Sequence, residues 1–149
     1  MSENSITILN RLIETSKDGE KGFRQAAEYT PDHYLQSIFN GCADSYQRAV
    51  NELQTCVAQL GAQPEDSGSV LGALHRGWTG IKATLSRGDS HAILVECERV
   101  EESVKDNYLK ALNAALPTNI HLLIERQCNE VVKNHNIIRE LRDKYAERA

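Results

Sequence analysis

Apolar positions return every three and four residues along four long stretches of the chain, which is the repeat of a helix with one buried face. The first stretch runs from about Ser5 to Glu28 and carries Ile6, Leu9, Ile13, Ser16, Glu20, Phe23 and Ala27 on one stripe. The second follows Thr30-Pro31 and runs to about Leu60, with Leu35, Ile38, Cys42, Tyr46, Ala49, Leu53, Cys56 and Leu60 in line. The third, Ile93 to Leu116, aligns Leu94, Cys97, Glu101, Val104, Tyr108, Ala111 and Ala115. The fourth starts at Thr118 or Asn119 and aligns Ile120, Ile124, Gln127, Val131, His135, Ile138, Arg142 and Tyr145. No stretch alternates with the period of two expected of a strand.

The punctuation between the stretches predicts how they connect. Thr30 can cap the second helix, with Pro31 at its first position, where a missing N–H does no harm. Gly61 is the expected stop of that helix, and Leu116-Pro117 breaks the chain before the last one. The link after the first helix is short, so the first two helices should form an antiparallel hairpin. Residues 61 to 69 read as a loop by composition, and a shorter helix follows, about Val70 to Ser86, with Leu71, Leu74, Trp78, Ile81 and Leu85 on one side. Gly88 ends it, and Asp89 or Ser90 caps the third long helix. Helices of about 25 residues span ~35–40 Å, and the segment from Gly61 to Asp89 can reach that far. The expected architecture is all-α: a ferritin-like four-helix bundle with a short extra helix in the crossover between helices two and three. A five-helix up-and-down arrangement is the alternative. At 149 residues, one domain covering 1–149 is expected. Gly19 and Gly22 sit inside the first helix, where glycine is unfavourable, and they predict a neighbouring helix at close approach.

Acids and a histidine interrupt the apolar stripes. Glu101 lies squarely on one, and an unpaired carboxylate there is costly, so it needs a partner. With a crossover, helices two and three run parallel to each other and antiparallel to one and four. Measured along the helices, Glu20, Glu98 or Glu101, and His135 then lie about 15 Å below the same end of the bundle. Carboxylates and imidazole from facing helices are what iron or manganese requires in such bundles. The usual di-metal set also contains Glu-x-x-His on two helices, because residues three apart share a face. Residues three before the five histidines are Thr30, Gly72, Gly88, Thr118 and Val132, so that pair is absent. Two readings follow: a buried Glu–His or Glu–Gln network that fixes helix register, or a depleted metal site of Glu20, Glu98, Glu101 and His135.

Composition narrows the classes. A net charge of -4 argues against nucleic acid as partner and against a basic membrane anchor. No apolar run is long enough to span a membrane, and the start MSENSITILN does not read as a signal peptide. A cytoplasmic location is expected. Cys42, Cys56, Cys97 and Cys128 form no C-x-x-C pair and read as reduced core thiols. Ser67 and Ser69 lack the spacing of a nucleophile with its base. His75, Arg76 and Trp78 form a candidate partner patch, or else Trp78 simply pins the crossover to the bundle.

Several motifs coincide in one known family. They are Asp18-Gly19 through Gly22-Phe23 with Ala26-Ala27-Glu28; Gly68-Ser69 with Gly72, Leu74 and His75-Arg76-Gly77-Trp78; Glu96-Cys97-Glu98; Leu116-Pro117; and His135 with Leu141-Arg142-Asp143. On these the chain resembles the bacterial ferritin-like four-helix-bundle proteins catalogued as a domain of unknown function, over nearly its whole length. The resemblance implies a ferritin-like fold in a bacterial intracellular protein, with kinship to stress-associated ferritin-like proteins, and it supplies no established activity. The expected function is a non-catalytic structural or stress-associated binding role in a self-associating bundle. The alternative is a degenerate di-metal carboxylate protein holding iron or manganese for oxidase or storage chemistry.

Overall fold

Four long helices carry the described part of the chain. The computed structural model describes residues 2–62 and 89–148. The helices are α1 (Ser2–Tyr29), α2 (His33–Gln59), α3 (Ser90–Leu112) and α4 (Thr118–Arg148). No strand occurs among the described residues. The expected short helix and the His75, Arg76 and Trp78 patch lie outside them.

Local chemistry sets the boundaries, and in two places it differs from expectation. α2 is capped by Asp32 rather than Thr30, and Pro31 precedes the helix instead of opening it. The Asp32 carboxylate accepts the Leu35 N–H at 3.1 Å, and an anion at this end also meets the helix dipole favourably. Thr30 instead completes α1, its N–H donating to the Ala26 carbonyl at 3.0 Å. Its hydroxyl also lies 3.2 Å from the Ser90 hydroxyl, joining the end of α1 to the start of α3. The second difference is the end of α3, which comes at Leu112 with Asn113 as its cap, four residues before the expected Leu116. Asp89 caps its start by accepting the Ala92 N–H at 3.3 Å.

The stop at Gly61 is as expected. Its φ of 82° lies in the left-handed region that glycine enters without penalty. The Gly61 N–H bonds to the Ala58 carbonyl and the Ala62 N–H to the Val57 carbonyl, the paired closure of a Schellman motif.

Cross-helix bonds fix the topology. Thr30 meets Ser90 while Ser16 meets Tyr108, so α1 and α3 run antiparallel. Asp32 meets Tyr145 while Gln127 meets Glu52, so α2 and α4 are antiparallel as well. Glu98 meets Arg142 while Tyr108 meets Gln127, so α3 and α4 are antiparallel too. α2 and α3 are therefore parallel, as a long connection between them requires. All four helices contribute to one core, whose largest members include Tyr108, Phe23, Phe39 and Leu53. Burying each such side chain contributes about 1.5–3 kcal/mol.

Gly19 shows why a glycine stands inside α1. A Cβ built there would lie 3.0–3.1 Å from three atoms of the Tyr46 ring. Alanine would gain about 1 kcal/mol in helix propensity. It would also push a ring that is fully packed and hydrogen-bonded, which typically costs about 1–3 kcal/mol. Gly19→Ala should thus lower the urea unfolding midpoint. A raised midpoint would mean that the Tyr46 ring has room to retreat.

Candidate functional site

The inward positions read as polar from the sequence become two connected groups at the centre of the bundle. The first is built on Glu101. Helical spacing from Leu94 and Cys97 carries it to the core face of α3, where it is fully buried. Tyr46, on the core face of α2, donates its hydroxyl to Glu101 Oε2 at 3.1 Å. The other oxygen, Oε1, is buried and has no hydrogen-bond partner. Burial pushes the Glu101 carboxyl up to about 8; the Tyr46 hydrogen bond opposes that shift and the nearby charge of Glu98 adds to it. At neutral pH Glu101 is therefore mainly a neutral acid, which avoids an unpaired charge in the core.

Two thiols share this environment. Burial raises the Cys42 and Cys97 thiols far above their ordinary range, and Glu101 raises them further once it ionises. They are free thiols and stay protonated, which makes them poor nucleophiles and poor metal ligands.

The second group runs through all four helices. Ser16 on α1 lies 3.4 Å from the Tyr108 hydroxyl on α3. Tyr108 donates to Gln127 Oε1 on α4 at 2.8 Å. The Gln127 amide nitrogen donates to Glu52 Oε1 on α2 at 3.0 Å and reaches the Ala49 carbonyl at 3.4 Å. Arg126 holds the other Glu52 oxygen at 2.6 Å. A cavity of about 100 Å³ between α2 and α4 is walled on its inner side by Tyr46, Tyr108 and Gln127.

The residues considered as metal ligands are distributed among different partners. Glu101 faces Tyr46. Glu98, three residues earlier, pairs with Arg142. Glu20 falls beside the buried stripe, where Gly19 takes the inward position, and its half-exposed carboxylate lies 3.7 Å from Arg24. His135 is buried as expected, with Nε2 at 2.8 Å from Glu102 Oε1, an approach whose angles are not those of a hydrogen bond. Among the described residues, no three His, Cys, Asp or Glu side chains gather as a group that could hold a metal. Sequence reasoning missed the tyrosines: Tyr46 and Tyr108 were legible as stripe positions, and a hydroxyl on a core stripe is itself the signal of a polar contact.

The family model described as "Domain of unknown function (DUF2383)" matches residues 4–114. The chain belongs to this family. The match takes in α1, α2 and α3 and with them Tyr46 and Glu101, while Gln127 and His135 on α4 lie beyond it. No curated protein matches the chain.

Proposed function

We propose that this chain is a ferritin-like bundle with a non-catalytic role, a structural or stress-associated binding protein of the bacterial cytoplasm that works as a homo-oligomer. The observation that supports this reading is the engagement of the acids in and beside the core with protein partners. Glu52 is held by Gln127 and Arg126, Glu98 by Arg142, and Glu101 is kept neutral beside Tyr46. Carboxylates engaged in this way fix helix register, a recognised use of buried polar groups that adds little net stability.

One observation favours the second reading, a degenerate site for iron or manganese using Glu20, Glu98, Glu101 and His135. Glu101 Oε1 and His135 Nε2 are both buried and neither makes a hydrogen bond, and oxygen and imidazole nitrogen are the donors such metals take. The test is metal content by mass spectrometry on untagged protein expressed with iron and manganese supplied. The expected result is metal far below one ion per chain in the wild type. Near-stoichiometric metal that disappears in both Glu101→Ala and His135→Ala would overturn the non-catalytic reading in favour of the second.

A further inference from the structure

A groove between α1 and α3 combines an apolar floor with two cations. It has a volume of about 440 Å³ and is lined by Ile8, Arg11, Leu12, Asn107, Lys110, Ala111 and Ala114. That volume lies within the range of small-molecule sites, roughly 300–1,000 Å³. Its floor is apolar, with Leu12 and Ala111 buried and Ile8 and Ala114 partly so. The small side chains of Ala111 and Ala114 leave the depth.

Two cations flank this floor, and both are exposed. Arg24, Arg48, Arg99, Arg126 and Arg142 each have an acid at ion-pair distance. Among the described residues Arg11 and Lys110 have none, although the chain carries 21 acids against 17 Lys and Arg. Two unpaired like charges beside one cavity repel each other, and an anion between them would relieve that repulsion. Lys110 gains something from the C-terminal end of the α3 dipole, but Arg11, in the middle of α1, has no such compensation. Asn107 adds an amide, whose nitrogen donates to Thr15 Oγ1 at 3.2 Å.

We propose that this groove binds a small amphipathic anion, a carboxylate or phosphate head on a short hydrocarbon body. The head sits with Arg11 and Lys110, and the body lies along Ile8, Leu12, Ala111 and Ala114. The proposal goes beyond the reading of the bundle core, since none of its residues belongs to the Glu101 or Gln127 groups.

The test is a titration of isotopically labelled full-length protein, followed by NMR, with octanoate, octyl phosphate, 1-octanol and inorganic phosphate. The backbone amides of Leu12, Asn107 and Ala111 should shift with octanoate or octyl phosphate, and which of the two binds tighter identifies the head group. Octanol and inorganic phosphate should each bind more weakly. Arg11→Gln/Lys110→Gln should weaken the amphiphile about tenfold or more, as charge-assisted contacts do. Lys133→Gln/Arg139→Gln, which removes two cations from α4, should leave it unchanged. Both positions of the first pair are exposed, so that variant keeps its fold, verifiable from its spectrum. The proposal fails if neither amphiphile shifts these amides at millimolar concentration. It also fails if the two double variants bind alike, or if inorganic phosphate binds as tightly as the amphiphiles.

Discussion

The stability of the wild-type protein should fall as pH rises from about 5 to 8, and Glu101→Gln should flatten much of that fall. Glu101 has its folded value raised from 4.5 to about 8, chiefly by burial. Between those values the unfolded chain has released this proton and the folded protein still holds it. The folded state then binds more protons, so unfolding free energy decreases with pH, by up to about 1.4 kcal/mol per unit from this group. The contribution is fully present below the unfolded value and is gone once pH passes the folded one. Glutamine matches the neutral acid in shape and still accepts the Tyr46 hydroxyl, so Glu101→Gln should resemble wild type near pH 5. By pH 9 it should be more stable than wild type by a few kcal/mol, on the order of what a buried charge costs. Urea unfolding of both proteins at a series of pH values measures the two slopes. If the slopes coincide, Glu101 does not titrate in this range in the folded protein, and the account of its environment is wrong.

Removing the Tyr108 hydroxyl should produce the second large effect, a loss of about 1–3 kcal/mol in Tyr108→Phe. Phenylalanine keeps the packed ring and withdraws only the donor that Gln127 Oε1 receives at 2.8 Å. The amide oxygen is buried and has no other donor among the described residues, so it bears the desolvation cost uncompensated. Gln127→Leu should also destabilise, because it leaves the Tyr108 hydroxyl and Glu52 Oε1 without that amide. The double variant should lose less than the sum of the two single losses, since removing both partners leaves fewer orphaned groups. Strict additivity in the cycle would show that the two residues do not act through their mutual bond.

The Glu101 result also bears on function. A neutral carboxyl inside a packed bundle suits the register-fixing role, and a metal site would need that carboxyl ionised. Metal added during the pH series would lower the apparent value of Glu101 in the second reading and leave it unchanged in the first. The two measurements therefore test the same residue by independent routes.

The stripes of Leu94, Cys97 and Glu101 on α3, and of Ile124, Gln127, Val131 and His135 on α4, were legible because burial follows the 3.6-residue period whatever the partner helix is. On α1 the same counting placed Glu20 inward, whereas Gly19 faces the core and Glu20 stands beside it. An error of one residue turns a side chain by about 100°, enough to move a carboxylate from the core to the surface. The cap of α2 was missed by two residues because Thr30, Pro31 and Asp32 are all acceptable near a helix start. The choice among them depends on Thr30 finishing α1 and meeting Ser90, a long-range contact.

Sequence alone determined that the chain makes long amphipathic helices, that Gly61 stops the second of them, and that Glu101, Gln127 and His135 face inward. Those are properties of local backbone preference and of one helix's own periodicity. Only the tertiary structure decided which groups meet: Tyr46 with Glu101, Tyr108 with Gln127, Glu102 with His135, and Arg142 with Glu98. Such pairings depend on the axial register and rotation of one helix against another. A hydrogen bond tolerates only a few tenths of an ångström in that register, whereas the hydrophobic pattern that sets the fold is satisfied over a far wider range.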